Sequence, residues 1–88
     1  MKCFKKRENL VSEDIDDEII VFDIENEQFY EFEGIGSFIW NRIDGNNVDS
    51  IAEAVCDEYE IDKETALEDT LSFINDLYEK RLISQEKG

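Results

Sequence analysis

The sequence predicts an α+β domain of winged helix-turn-helix type, a three-stranded antiparallel sheet followed by three helices. Three observations carry this expectation. Residues 9–32 alternate between apolar and polar and are rich in β-branched and aromatic side chains, whereas from Ile35 onward the apolar residues recur at helical spacing. The change of period falls on Gly34-Ile35-Gly36, where glycine lets the backbone turn a corner. Asn47 and Asp62 then stand where two further helices need side-chain acceptors for the free amides of their first turns.

The elements follow in order. Residues 1–8 are expected to be a flexible basic N-terminus, because Lys2, Lys5, Lys6 and Arg7 precede every acidic residue of the chain. A first strand is expected near Asn9–Ser12, with Leu10 and Val11 as its apolar residues. Asp16-Asp17 can turn the chain into Glu18–Ile24, whose Ile19-Ile20-Val21-Phe22 run suits a strand covered on part of both faces. After a turn at Glu25-Asn26, the third strand, Glu27–Phe32, is expected to lie at an edge of the sheet. Gln28, Tyr30 and Phe32 share one of its faces, and Phe29 and Glu31 the other, where Phe29 can pack with Val21.

Ile35, Phe38, Ile39 and Ile43 trace a first helix closed by Asp44-Gly45, with Trp40 partly buried at the border of its stripe. Asn47 is expected to cap a second helix buried through Val48, Ile51, Ala52, Val55 and Tyr59. Asp62 caps the third and longest helix, with Ala66, Leu67, Thr70, Phe73, Ile74 and Leu77 on one broad face and Glu68, Ser72, Asn75 and Glu79 facing solvent. Leu82 and Ile83 complete the core. Residues 9–84 thus form a single domain with no internal repeat or interdomain linker.

Composition narrows the function. The 88 residues include 24 acidic and 9 basic groups, a net charge of −15, with no His and no Pro. Such a charge repels nucleic acid and anionic membranes, and the second helix offers Asp49, Glu53, Asp57 and Glu58 where a DNA-reading helix needs Lys and Arg. A basic start with no apolar run behind it is not an export signal, so a cytoplasmic protein is expected. Cys3 and Cys56 lack metal-ligand or redox spacing and read as two bland thiols. Without His, a paired nucleophile and base, or a phosphate-cradling Gly loop, an enzyme is the least expected class, and no cofactor or metal is implied.

The chain resembles the PqqD-like family, the small domains also called RiPP recognition elements. The carriers are Phe29-Tyr30-Glu31-Phe32, Gly36 with Phe38-Ile39-Trp40, Asp44-Gly45, Ile51, Tyr59 with Ile61-Asp62, Asp69, Phe73-Ile74, Leu77 and Leu82-Ile83. It departs from that pattern at Glu33, where an Asn usually caps the helix, and at Arg81, where a Gly usually ends the last one. The resemblance implies a stand-alone domain that binds the leader segment of a ribosomally made precursor peptide and delivers it to separate enzymes. These would be a leader peptidase and cyclase, as in lasso-peptide pathways, or a radical enzyme.

An edge strand supports the same reading, because its free amides and carbonyls can take up another extended chain. The cleft implied by the resemblance lies between the third strand and the third helix. Its candidate peptide-binding residues are Gln28, Phe29, Tyr30, Glu31 and Phe32 from the strand, with Asp69, Thr70, Phe73, Asp76 and Leu77 from the helix. At 100° per residue Asp69, Phe73, Asp76 and Lys80 share one flank. Phe32, Phe73 and Leu77 suit the core at least as well as direct contact. Two other readings stand beside this one. Asp49-Ser50-Ile51 resembles the Asp-Ser-Leu motif of acyl or peptidyl carrier proteins, with phosphopantetheine on Ser50, although carriers begin with a long amphipathic helix. The other is a protein-only adaptor whose acidic surface serves solubility.

Overall fold

The computed structural model describes residues 2–87. Strands β1 (Lys2–Lys6), β2 (Leu10–Ile15), β3 (Glu18–Asp23) and β4 (Gln28–Glu33) precede helices α1 (Ile35–Trp40), α2 (Val48–Tyr59) and α3 (Lys63–Glu79), and β5 (Ile83–Lys87) follows. The expected three-stranded antiparallel sheet is present in the order β2-β3-β4, with β4 at an edge. Alternation sets its inner face: Ile19, Val21 and Asp23 of β3 are buried, and Phe32 of β4 joins them. Against this face pack Ile39, Trp40 and Ile43 from the α1 region, Ile51 and Val55 from α2, and Ala66, Ile74 and Leu77 from α3.

Both anticipated caps form. Asn47 Oδ1 accepts from the Ser50 amide at 2.9 Å, and Asp62 Oδ1 from the Thr65 amide at 2.8 Å. Those Thr65 bonds hold the Asp62 carboxyl below its usual range. The third helix ends in a complete Schellman motif, in which the Leu82 amide donates to the Leu77 carbonyl and the Arg81 amide to the Tyr78 carbonyl. Arg81 takes the left-handed position usually given to Gly, at φ 59°. The departure from the family pattern at this site therefore changes the residue and keeps the geometry.

The amino terminus differs from the expected flexible tail. Met1 lies outside the described residues, but Lys2–Lys6 forms β1 and pairs antiparallel with β5, so the ordered body extends beyond residues 9–84 at both ends. Phe4 drives this: it is 2% exposed, packs edge-on against Tyr78 at 6.1 Å, and exchanges backbone bonds with the 44–46 segment. Arg7 continues the attachment, its Nε donating to the Arg81 carbonyl at 2.6 Å and its guanidinium meeting Asp23 and Glu25.

Smaller differences have local causes. The first strand runs on to Ile15, six residues paired in register with β3. The first helix stops at Trp40, and its N-cap is Gly34, with no side-chain cap. Asp44-Gly45 does not close that helix; Asp44 bridges to Phe4 and accepts from the Lys6 amide at 2.7 Å, which makes it the docking point for β1. Trp40 is fully buried rather than partly so, its indole N–H donating to Ser12 Oγ and its ring lying under the Lys6 ammonium at 4.6 Å. Burial there lowers the Lys6 pKa, against the pull of Asp44 and Asp14.

Candidate functional site

The site is built on β4 because that strand has a neighbour on one side only. Its start is fixed by the turn that precedes it. Asp23, 1% exposed, accepts from both the Asn26 side chain and the Asn26 amide and faces the Arg7 guanidinium at 2.6 Å. The Asn26 bonds first, and Arg7 after them, hold this carboxyl below the usual carboxylate range despite its burial.

Alongside the free edge, α3 supplies a wall. The groove between them, about 520 Å³, is lined by Phe29, Tyr30, Glu31, Phe32 and Glu33 from β4, Gly36 from α1, and Phe73, Asp76 and Lys80 from α3. It continues past Tyr30 and Lys80 into a second concavity bordered by Asn26, Gln28, Glu79 and Arg81. The floor is aromatic: Phe73 meets Phe32 edge-on at 5.0 Å, and Phe32 leans on Trp40 at 5.4 Å. Tyr30 is half-buried, and its hydroxyl donates to Gln28 Oε1 at 2.8 Å. Lys80 and Asp76 pair one helical turn apart at 3.3 Å, placing one cation and one anion on the rim.

Of the ten residues expected here, Gln28, Phe29, Tyr30, Glu31, Phe32, Phe73 and Asp76 border the two concavities. Phe32 is 8% exposed and serves mainly as floor. Thr70 and Leu77 do not reach the groove: both are fully buried, on the side of α3 that faces the core. Asp69 is exposed and does not line it. Phe29 packs its ring on Phe22 at 4.6 Å, rather than on Val21, because Phe22 is its partner in register.

Three further residues line the groove: Glu33 at the end of β4, Lys80 and Gly36. Lys80 was visible as part of the helical flank but was not placed in the cleft. Gly36 carried its signal in the glycine corner: a Cβ there would come within 3.0 Å of Phe73 Cε1, so the absence of a side chain lets the Phe73 ring lie against the start of α1. A separate concavity between the β2–β3 turn and α1 is bordered by Asp14, Asp16, Asp17 and Glu18 and meets the β2 edge only at Asp14, near the end of that strand. Ser50, the candidate carrier attachment point, spends its amide on the first turn of α2, and the chain around it lacks the opening helix of a carrier. Among the described residues no cluster of acidic or Cys side chains could hold a metal ion, and no helix is long and apolar enough to cross a membrane.

A search of curated proteins found no match. Among solved structures, TbiB1 in complex with the TbiA(beta) leader peptide is 28% identical, with a TM-score of 0.85, over 96% of this chain and 99% of that one. Lasso peptide synthetase B1 complexed with the leader peptide shares the fold at 20% identity, with a TM-score of 0.82 over 92% and 96% of the two chains. The model of the coenzyme PQQ synthesis protein D (PqqD) family matches residues 18–83, from the first residue of β3 to the first of β5, and the chain therefore belongs to the PqqD family.

Proposed function

We propose that this chain is a non-catalytic recognition domain that binds the leader segment of a ribosomally made precursor peptide along β4 and α3 and delivers it to separate modifying enzymes. The observation that carries the reading is the free β4 edge lying beside an aromatic groove. The likeness to a leader-bound relative over nearly the full length of both chains supports it.

The energetics assign roles to the two parts. A leader of about five residues added to β4 would span about 17 Å and make four or five backbone bonds, each worth roughly 1 kcal/mol net. That total only offsets the low end of the association cost, roughly 4 kcal/mol or more. Affinity beyond this comes from leader side chains entering the groove over Tyr30 and Phe73, and specificity comes with it. Strand addition fixes the register, and the groove selects the sequence. Holding the leader raises the local concentration of precursor at any enzyme the domain also touches.

The direct test is fluorescence anisotropy of a labelled leader from the adjacent precursor reading frame, titrated at two salt concentrations. Saturable binding at micromolar or tighter affinity is expected. With a net charge of −15, a leader carrying basic residues should associate more slowly at high salt. Absence of binding to the cognate leader at both salts contradicts the reading.

A further inference from the structure

The two walls of the groove come from distant parts of the chain, and among the described residues no backbone hydrogen bond joins β4 to α3. At the Gly36 end packing holds them together. Phe73 meets Phe32 edge-on at 5.0 Å and lies against Gly36, where a Cβ would come within 3.0 Å of the ring. At the other end the concavity is bordered by Asn26, Gln28, Tyr30, Glu79, Lys80 and Arg81, and none of these brings a ring of β4 against a ring of α3. The spacing of the walls there needs another cause.

One side chain supplies it. Arg7, just past β1, donates from Nε to the Arg81 carbonyl at 2.6 Å, from one terminal nitrogen to Asp23 Oδ2 at 2.6 Å and from the other to Glu25 Oε2 at 2.7 Å. Its backbone amide donates to the Leu82 carbonyl at 2.9 Å. Asp23 passes the connection on, its carboxylate accepting from the amide and the side chain of Asn26 at 3.1 and 2.9 Å. The bonds thus run from Arg81 through Arg7 and Asp23 to Asn26, and the two terminal residues border the concavity while Arg7 and Asp23 do not. A guanidinium can span these acceptors because its donors diverge in a plane from three nitrogens, whereas an ammonium gathers its donors on one atom.

We infer that Arg7 is a positioning residue for peptide binding: its three-way clasp sets the spacing between the start of β4 and the end of α3, and with it the part of the groove around Tyr30. That a peptide fills the groove rests on the proposed function; the clasp does not. Arg7 lines neither concavity of the site, so it acts through Asn26 and Arg81 rather than by contact. Tyr30 and Lys80 border both concavities and stand where the walls would part if the clasp opened. The inference also gives β1 a purpose. Phe4 anchors that strand in the core, and the strand delivers Arg7 to the foot of the groove.

The test uses the full chain and the labelled cognate leader, with Arg7→Lys as the variant because it keeps a cation beside Asp23 and loses the fork. Leader affinity should fall at least fivefold while urea unfolding stays cooperative. A double-mutant cycle supplies the readout that a general loosening of the fold would not move. In a Tyr30→Ala background, where the contact at the clasped end is already gone, Arg7→Lys should cost less than twofold. In a Gly36→Ala background, altered at the far end, it should still cost the full fivefold. Equal losses in the two backgrounds overturn the inference, as does wild-type affinity in Arg7→Lys alone. Should Arg7→Lys fail to fold, Glu25→Ala takes its place, since it removes one acceptor on the exposed side of the clasp. It should weaken the leader two- to threefold, and only where Tyr30 is present; no loss, or the same loss without Tyr30, overturns the inference. Failure of the wild-type chain to bind leader instead overturns the proposed function.

Discussion

The sheet has two free edges, β2 and β4, and they are not equivalent. Along β2 every residue after Leu10 is exposed and two of the six are acidic, and the concavities that reach it touch only Asp14 and Ile15, next to the acidic β2–β3 turn. Along β4 the inner side chains dip under α3, and the groove there has an aromatic floor made by Phe32 and Phe73. Both edges offer backbone hydrogen bonds. Only β4 offers them together with a groove that follows the strand from Phe29 to Glu33, and backbone bonds by themselves do not meet the cost of association. An edge becomes a binding site when a second element builds a wall along it; an edge without one is left to be guarded by charge.

Removing the wall should break this asymmetry most severely. Phe73→Ala takes a half-buried ring out of both the floor and the core; it should cost about 3 kcal/mol in urea unfolding and abolish measurable leader binding. Tyr30→Ala should separate the two effects, weakening the leader at least tenfold in anisotropy while shifting stability by no more than about 1 kcal/mol. Its counterpart on the other edge, Glu13→Ala, should leave leader affinity at the wild-type value.

Gly36→Ala tests the close approach. The added methyl must push Phe73 aside, yet alanine favours the helix by about 1 kcal/mol, so stability should barely move while leader affinity falls severalfold. Acid should act through the turn that sets β4. Because Asp23 titrates below the usual carboxylate range, its bonds to Asn26 and Arg7 contribute fully above about pH 4, the unfolded-chain value. That contribution is lost as pH falls through the lower, folded value. Asp23→Asn should therefore flatten the acid limb of the stability profile measured by urea titration between pH 2 and 5. The smallest effect is expected at Arg81→Gly, which relieves a left-handed residue and should stabilise the chain by about 1 kcal/mol in urea unfolding.

How much of this the sequence discloses depends on how local the cause is. Asn47 and Asp62 were legible as caps because each acts on an amide three residues away. The three strands from Leu10 to Glu33 are legible because each carries β-branched or aromatic residues and short turns join them. The β1–β5 pair was not: Lys-Cys-Phe-Lys-Lys carries a single strong apolar residue, and Phe4 finds its register partner, Gln85, at the far end of the chain. The same limit applied at Asp44-Gly45, where a helix-ending signal in fact serves β1.

Within the candidate site, periodicity places Phe73 and Asp76 on the flank that borders the groove but does not tell a border position from a buried one. Thr70 and Leu77 lie within a turn of Phe73 and are wholly inside. Lys80 went unassigned because the pattern ends with the helix, whereas the groove runs on to Arg81. The exposed sheet face left a trace in the unbroken Ile-Ile-Val-Phe run of β3, which predicted apolar residues on both faces without saying what covers the outer one.

The account turns on β4 being the edge that receives the leader. Amide hydrogen exchange, followed by NMR for the free chain and its leader complex, tests this most directly. Leader binding should slow exchange at alternate residues between Gln28 and Glu33, where the outward-pointing amides gain partners, and leave the β2 edge unchanged. Unaltered exchange along β4, or new protection along Leu10–Ile15 instead, would contradict it.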